Sequence, residues 1–140
     1  MTFRNIVAAV GLSGLMAASG AAQPKIEKSE IAYTQPGSGK AMFNEYCAVC
    51  HGQLGKGDGP AAKALTKAPA DLTQLAVKSG GKFPELNIKR YISGDDTVAA
   101  HGSRDMPIWG KLFHSIDPNT AVDEIRIRNL SDYIKTLQAK

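Results

Sequence analysis

The feature that most constrains this chain is a pentapeptide, Cys47-Ala48-Val49-Cys50-His51. It contains both cysteines of the protein, so no multi-bridge disulfide scaffold can form. Two thiols one helical turn apart, followed at once by an imidazole, have few chemical uses. A zinc site wants four Cys or His ligands in paired spacings. The remaining histidines, His101 and His114, are too far apart for the usual finger spacing. A dithiol redox motif needs a strand before its helix, and the segment before Cys47 reads as loop and helix. A plain disulfide across two residues is rarer still. The chemistry that fits is c-type haem attachment. Both thiols add across the vinyl groups of haem, and His51 then projects under the ring to give a nitrogen to iron.

Iron held on one side by His51 leaves a second axial position. Met1 and Met16 lie at the N-terminus, and Met42 stands at helical spacing with Phe43 and Tyr46, which reads as core. Met106 lies in a Gly- and Pro-bounded loop and is followed by Pro107. Packing alone explains such a methionine poorly. A thioether is soft and favours reduced iron. Met106 is therefore the expected distal ligand, with His101 as its rival. His114, after Leu112-Phe113, reads as a surface or helix-end residue.

Residues 1–22 read as a secretory signal peptide: Arg4 supplies the positive end, Ile6 to Ala18 the apolar stretch, and Gly20-Ala21-Ala22 the small residues before a cut. An uncleaved anchor is the alternative, for which the stretch is short. The expected location is the periplasm, where a free reduced thiol pair needs an explanation. Residues 23–38, with Pro24 and Pro36, read as an N-terminal arm, and 39–140 as one domain. No apolar run after the leader is long enough to span a bilayer, so no membrane span is expected in the mature form. The 17 basic and 13 acidic residues are interspersed, which gives no nucleic-acid signal. Aromatics are only 6%, so the fold would gain from a large apolar group at its centre.

No period-2 strand pattern appears, and an all-α domain is expected. A first helix runs from about Ser38 to Cys50. Residues 52–60 hold four glycines and must be loop. Short helical pieces are expected at Ala61 to Leu65 and near Pro69-Ala70-Asp71-Leu72, with Leu75 and Val77 buried. Phe83 to Ser93 forms a helix that Gly94 ends, with Leu86, Ile88, Tyr91 and Ile92 mostly on one face. Asp95 to Phe113 reads as mostly loop. The last helix is capped by Asp117 with Pro118, or by Thr120 with Asp123. Its apolar face is Val122, Ile125, Leu130, Tyr133, Ile134 and Leu137.

From Gly39 to Leu137 the sequence resembles a small bacterial class I cytochrome c. Gly39 and Phe43 precede Cys47 by eight and four residues, and Leu130 and Tyr133 are spaced by three. Met106-Pro107-Ile108-Trp109-Gly110 resembles the family's ligand loop. The resemblance implies a class I cytochrome c fold, with N- and C-terminal helices crossing and short helices and loops wrapping one covalent haem c. It also implies that the Pro60 carbonyl accepts the proton of the other His51 ring nitrogen. His101 stands where smaller members often carry a Trp near a propionate, and Arg104 would help balance that charge. Trp109 either touches haem or packs the loop.

A haem closed by His51 and Met106 has no free position for substrate. The expectation is an electron carrier, not an enzyme: a monomer with one attachment motif and so one haem, which passes single electrons between redox protein partners (a dehydrogenase, an oxidase or another cytochrome). The alternative is a fixed cytochrome subunit of a periplasmic dehydrogenase or oxidase complex. A five-coordinate haem enzyme or gas sensor fits less well. Ala48, Val49, Ile108 and Gly52-Gln53-Leu54 would frame the partner surface, with Lys40, Lys56 and Lys111 as ordinary solvated or steering charges.

Overall fold

The structure, a computed structural model, describes residues 31–95 and 106–139. The leader at 1–22, His101 and Arg104 lie outside the described residues. Among those described, all regular structure is helical.

The first helical run comprises α1 (Gly39–Met42), a π turn (Phe43–Cys47) and α2 (Ala48–His51). Ser38 caps it by accepting from the Ala41 N–H. In the π turn the Ala48 N–H reaches back to the Phe43 carbonyl, one residue further than in an α-helix. Two 3₁₀ turns follow, Ala62–Ala64 and Leu72–Gln74, then α3 (Leu75–Lys78) and α4 (Glu85–Ser93). Gly94 closes α4 in the left-handed conformation. The chain ends with α5 (Trp109–Ile116) and α6 (Thr120–Thr136).

The expected crossing of first and last helices is present. A Cβ built on Gly39 would lie 2.0 Å from the Asn129 carbonyl oxygen and 2.9 Å from Tyr133 Cβ. Only glycine lets the backbones meet this closely. Phe43 and Tyr133 pack at 5.3 Å between ring centroids, and Leu130 is fully buried beside them.

Several expectations need correction. Residues 109–116 are helix, not loop: Trp109, Leu112, Phe113 and Ile116 recur at helical spacing on the core side. Gly110 sits inside that helix because Ser93 crowds it; a Cβ there would be 2.4 Å from the Ser93 carbonyl oxygen. The α6 cap is Asn119, whose side chain accepts from the Ala121 N–H, not Asp117 or Thr120. Ile125 is exposed, and Arg126 and Ile127 turn inward in its place. On α4 only Ile88 and Ile92 are buried, while Leu86 and Tyr91 are exposed, and Val77 is exposed as well. Ala48 is buried and offers nothing to a partner surface, unlike Val49 and Ile108.

The end of the expected arm is tied down. Ile31 packs on the core, the Ala32 carbonyl accepts from Tyr46 Oη, and the Pro36 carbonyl accepts from Asn129 Nδ2. At the other terminus Gln138 donates to the Leu72 carbonyl and accepts from the Ala76 N–H, fastening the end of the chain to α3.

Candidate haem site

The site is organised around the C-terminus of α2, where helix carbonyls would otherwise lack partners. The Gly-rich loop folds back to satisfy them. Gly57 N–H donates to His51 O at 2.8 Å, Gly59 N–H to Cys50 O at 3.1 Å, and Ala61 N–H to Val49 O at 2.9 Å. The next loop then seats on the first: Leu72 N–H donates to Gly55 O at 2.7 Å. Gly57, at φ +81°, leaves just enough room, since a Cβ there would be 2.4 Å from Pro69 O.

This double wrap brings the Ala70 carbonyl to His51, with Nδ1 and the oxygen 2.9 Å apart. The expected acceptor was the Pro60 carbonyl, and the structure corrects it. Residues 57–61 are committed to the helix end, and Pro60 sits on the exposed outside of that loop. A carbonyl only accepts, so His51 Nδ1 carries the proton and Nε2 keeps its lone pair in the neutral ring. Burial lowers the His51 pKa, against the opposing effect of the Ala70 bond, which favours the neutral ring that can ligate a metal.

Both cysteines are free thiols. Cys47 is buried, and burial, with a smaller contribution from Cys50, pushes its pKa up to about 12. It stays a neutral thiol, unlike the low-pKa nucleophile of a dithiol redox motif. No group of three His, Cys, Asp or Glu able to hold a bare metal ion occurs among the described residues. The donor set is one oriented imidazole nitrogen beside two thiols, which suits haem: one nitrogen for iron and two sulfurs for thioethers.

Met106 leads into α5 and is 44% exposed. The helix it introduces packs against the cysteine-bearing run, with Trp109 at 5.3 Å and Phe113 at 5.6 Å from Tyr46, the residue before Cys47. Trp109 is itself buried in that cluster and stacks on Phe113. Two surface grooves among the described residues lie elsewhere, along α4, and have no cysteine, histidine or methionine in their walls. His114 is partnered with Asp123 at 2.9 Å, joining α5 to the first turn of α6. Among the described residues no helix is long and apolar enough to cross a membrane.

Two features of the structure were beyond sequence reasoning. The Ala70 acceptor is a backbone atom, and no side-chain type marks it. Arg126 carries only the signature of a charged residue on an amphipathic helix.

No curated protein and no solved structure matches the chain. Residues 34–134 match the family described as cytochrome C oxidase, cbb3-type, subunit III. That span takes in the thiol pair, His51, the Ala70 loop, Met106 and most of α6, so the match covers the whole of the site and the helix crossing that supports it. On this ground the chain belongs to that family of class I c-type cytochromes.

Proposed function

We propose that this electron-transfer domain works in the periplasm as a single-haem carrier whose iron would be held by His51 and Met106. The observation that carries the reading is the His51–Ala70 bond beside two free thiols. Cys47 and Cys50 are the thiols for covalent attachment, which would hold the group in place and use up both sulfurs. His51 offers Nε2, and the Ala70 carbonyl holds the ring in that tautomer and orientation. Met106, three residues before α5, would supply the sulfur. When bound, haem c supplies one-electron iron chemistry, with a potential raised by a thioether ligand. Val49, Leu54 and Ile108, all exposed, supply apolar contact for a redox protein partner.

Absorption spectra of the purified protein test this reading, taken oxidised, reduced and reduced under carbon monoxide, with the mass after denaturation. One haem retained on the denatured chain, a far-red sulfur-to-iron band and no response to carbon monoxide support it. Ready carbon monoxide binding without that band removes Met106 as ligand and favours a catalytic or sensing role.

The family's description as an oxidase subunit favours a second reading, a fixed subunit of a larger complex. Extraction of native cells separates the two. A carrier leaves with the periplasmic fraction at its own small size, whereas a subunit elutes with a large assembly.

A further inference from the structure

Arg126 is fully withdrawn from solvent, the one charged side chain among the described residues to be so. Its Nη1 donates to Thr34 Oγ1 at 3.2 Å and approaches Met42 Sδ at 3.8 Å. The guanidinium lies over the rings of Tyr33 at 5.1 Å and Phe113 at 5.8 Å. Nε and Nη2 are buried without a hydrogen-bond partner. The ion pairs among the described residues join Lys89 and Lys135 to Glu85, and His114 to Asp123; none includes Arg126. Arginine does not deprotonate in proteins. A full positive charge is therefore held in the core, softened by two ring faces, a hydroxyl and a thioether sulfur, with no anion beside it among the described residues. An apolar side chain of similar size would fill the same space without the desolvation cost.

The charge is connected to the cysteine-bearing helix. Tyr46 Oη is 2.7 Å from the Ala32 carbonyl, to which it must donate, and 2.8 Å from Thr34 Oγ1. The Thr34 hydroxyl therefore donates to Tyr46 Oη and accepts from Arg126. The chain of donors runs one way, from Arg126 through Thr34 and Tyr46 to Ala32, and each bond polarises the next. Tyr46 precedes Cys47 directly, and Met42 lies on the same helical run.

We propose that Arg126 is a positioning charge for the redox step: its buried cation favours the reduced form of iron bound at His51. This rests on the electron-transfer reading above. Taking one electron from a redox partner lowers the charge of the iron centre by one. A cation buried against the helical run that carries Cys47 and His51, in a medium of low dielectric, disfavours the oxidised form, and salt does not screen it as it screens a surface lysine.

The test is a spectroscopic redox titration of the haem-loaded protein at low and high salt. Thr34→Asp sets a carboxylate beside Nη1, and Thr34→Asn repeats the shape without the charge. With Thr34→Asp the reduced-to-oxidised ratio at fixed poise falls about threefold or more, while Thr34→Asn stays near wild type. Arg126→Met falls like Thr34→Asp, and Arg126→Lys does not. The urea midpoint of Thr34→Asp rises, because the guanidinium gains an anion. The shift survives high salt. An unchanged potential in folded Thr34→Asp, or an equal fall in Thr34→Asn, overturns the proposal; if Arg126→Met fails to fold, the Thr34 pair decides it. A wild-type protein with no redox-active haem instead overturns the electron-transfer reading itself.

Discussion

His51 Nδ1 donates to the carbonyl oxygen of Ala70, nineteen residues further along the chain, at 2.9 Å. The contact exists because two loops stack at the end of α2, and it settles which ring nitrogen is left for a metal. It turns a short local motif into a site with a defined orientation.

Gly57→Ala tests that stacking. The residue has a positive φ, and its Cβ would strike the Pro69 carbonyl. The variant is expected to lose about 1–3 kcal/mol of stability, read from its urea midpoint.

The helix crossing gives a sharper contrast. Gly39→Ala forces a methyl group into the Asn129 carbonyl, and a loss of about 2 kcal/mol or more is expected. Gly37, two residues earlier, has open space around it, and Gly37→Ala should stay within about 0.5 kcal/mol of wild type. Thermal unfolding of the two variants side by side checks both expectations.

Met106→Ala removes the expected sulfur ligand. The reduced variant should bind carbon monoxide readily, and its potential should fall, since a soft thioether favours ferrous iron. A carbon monoxide titration followed by absorption reads the first effect, and a redox titration the second.

Glu85 supplies a pH test. Its bond to Lys89, together with the charges of Lys89 and Lys135, holds the Glu85 carboxyl below the usual carboxylate range. A depressed folded-state pKa means stability present above the unfolded value and lost as pH falls through the folded one. Wild type should therefore be more stable than Glu85→Gln at pH 7, with the gap closing as pH drops below about 4. Because the group is exposed, added salt should shrink the difference.

The local features were readable from residue order. The thiol pair and His51 fall within five positions, and the resemblance to class I cytochromes c picks out Gly39, Phe43, Leu130 and Tyr133, with which the need for a close approach agrees. Helix α5 was misread as loop, although Trp109, Leu112, Phe113 and Ile116 carry the helical period. Pro107 and Gly110 masked it by suggesting a loop, when Gly110 is there to admit the backbone of Ser93.

Other features depended on how distant segments meet. Ala70 enters the site through a carbonyl that every residue type possesses, so composition and motif carry no trace of it. Arg126 sits on α6 where its neighbours Glu124 and Arg128 face water, and only the closing of residues 33–34 and α5 over it makes it a buried cation. Covalent chemistry and helical periodicity are short-range, and residue order is enough to state them. Backbone acceptors and burial are long-range, and they come into being only when the chain is closed.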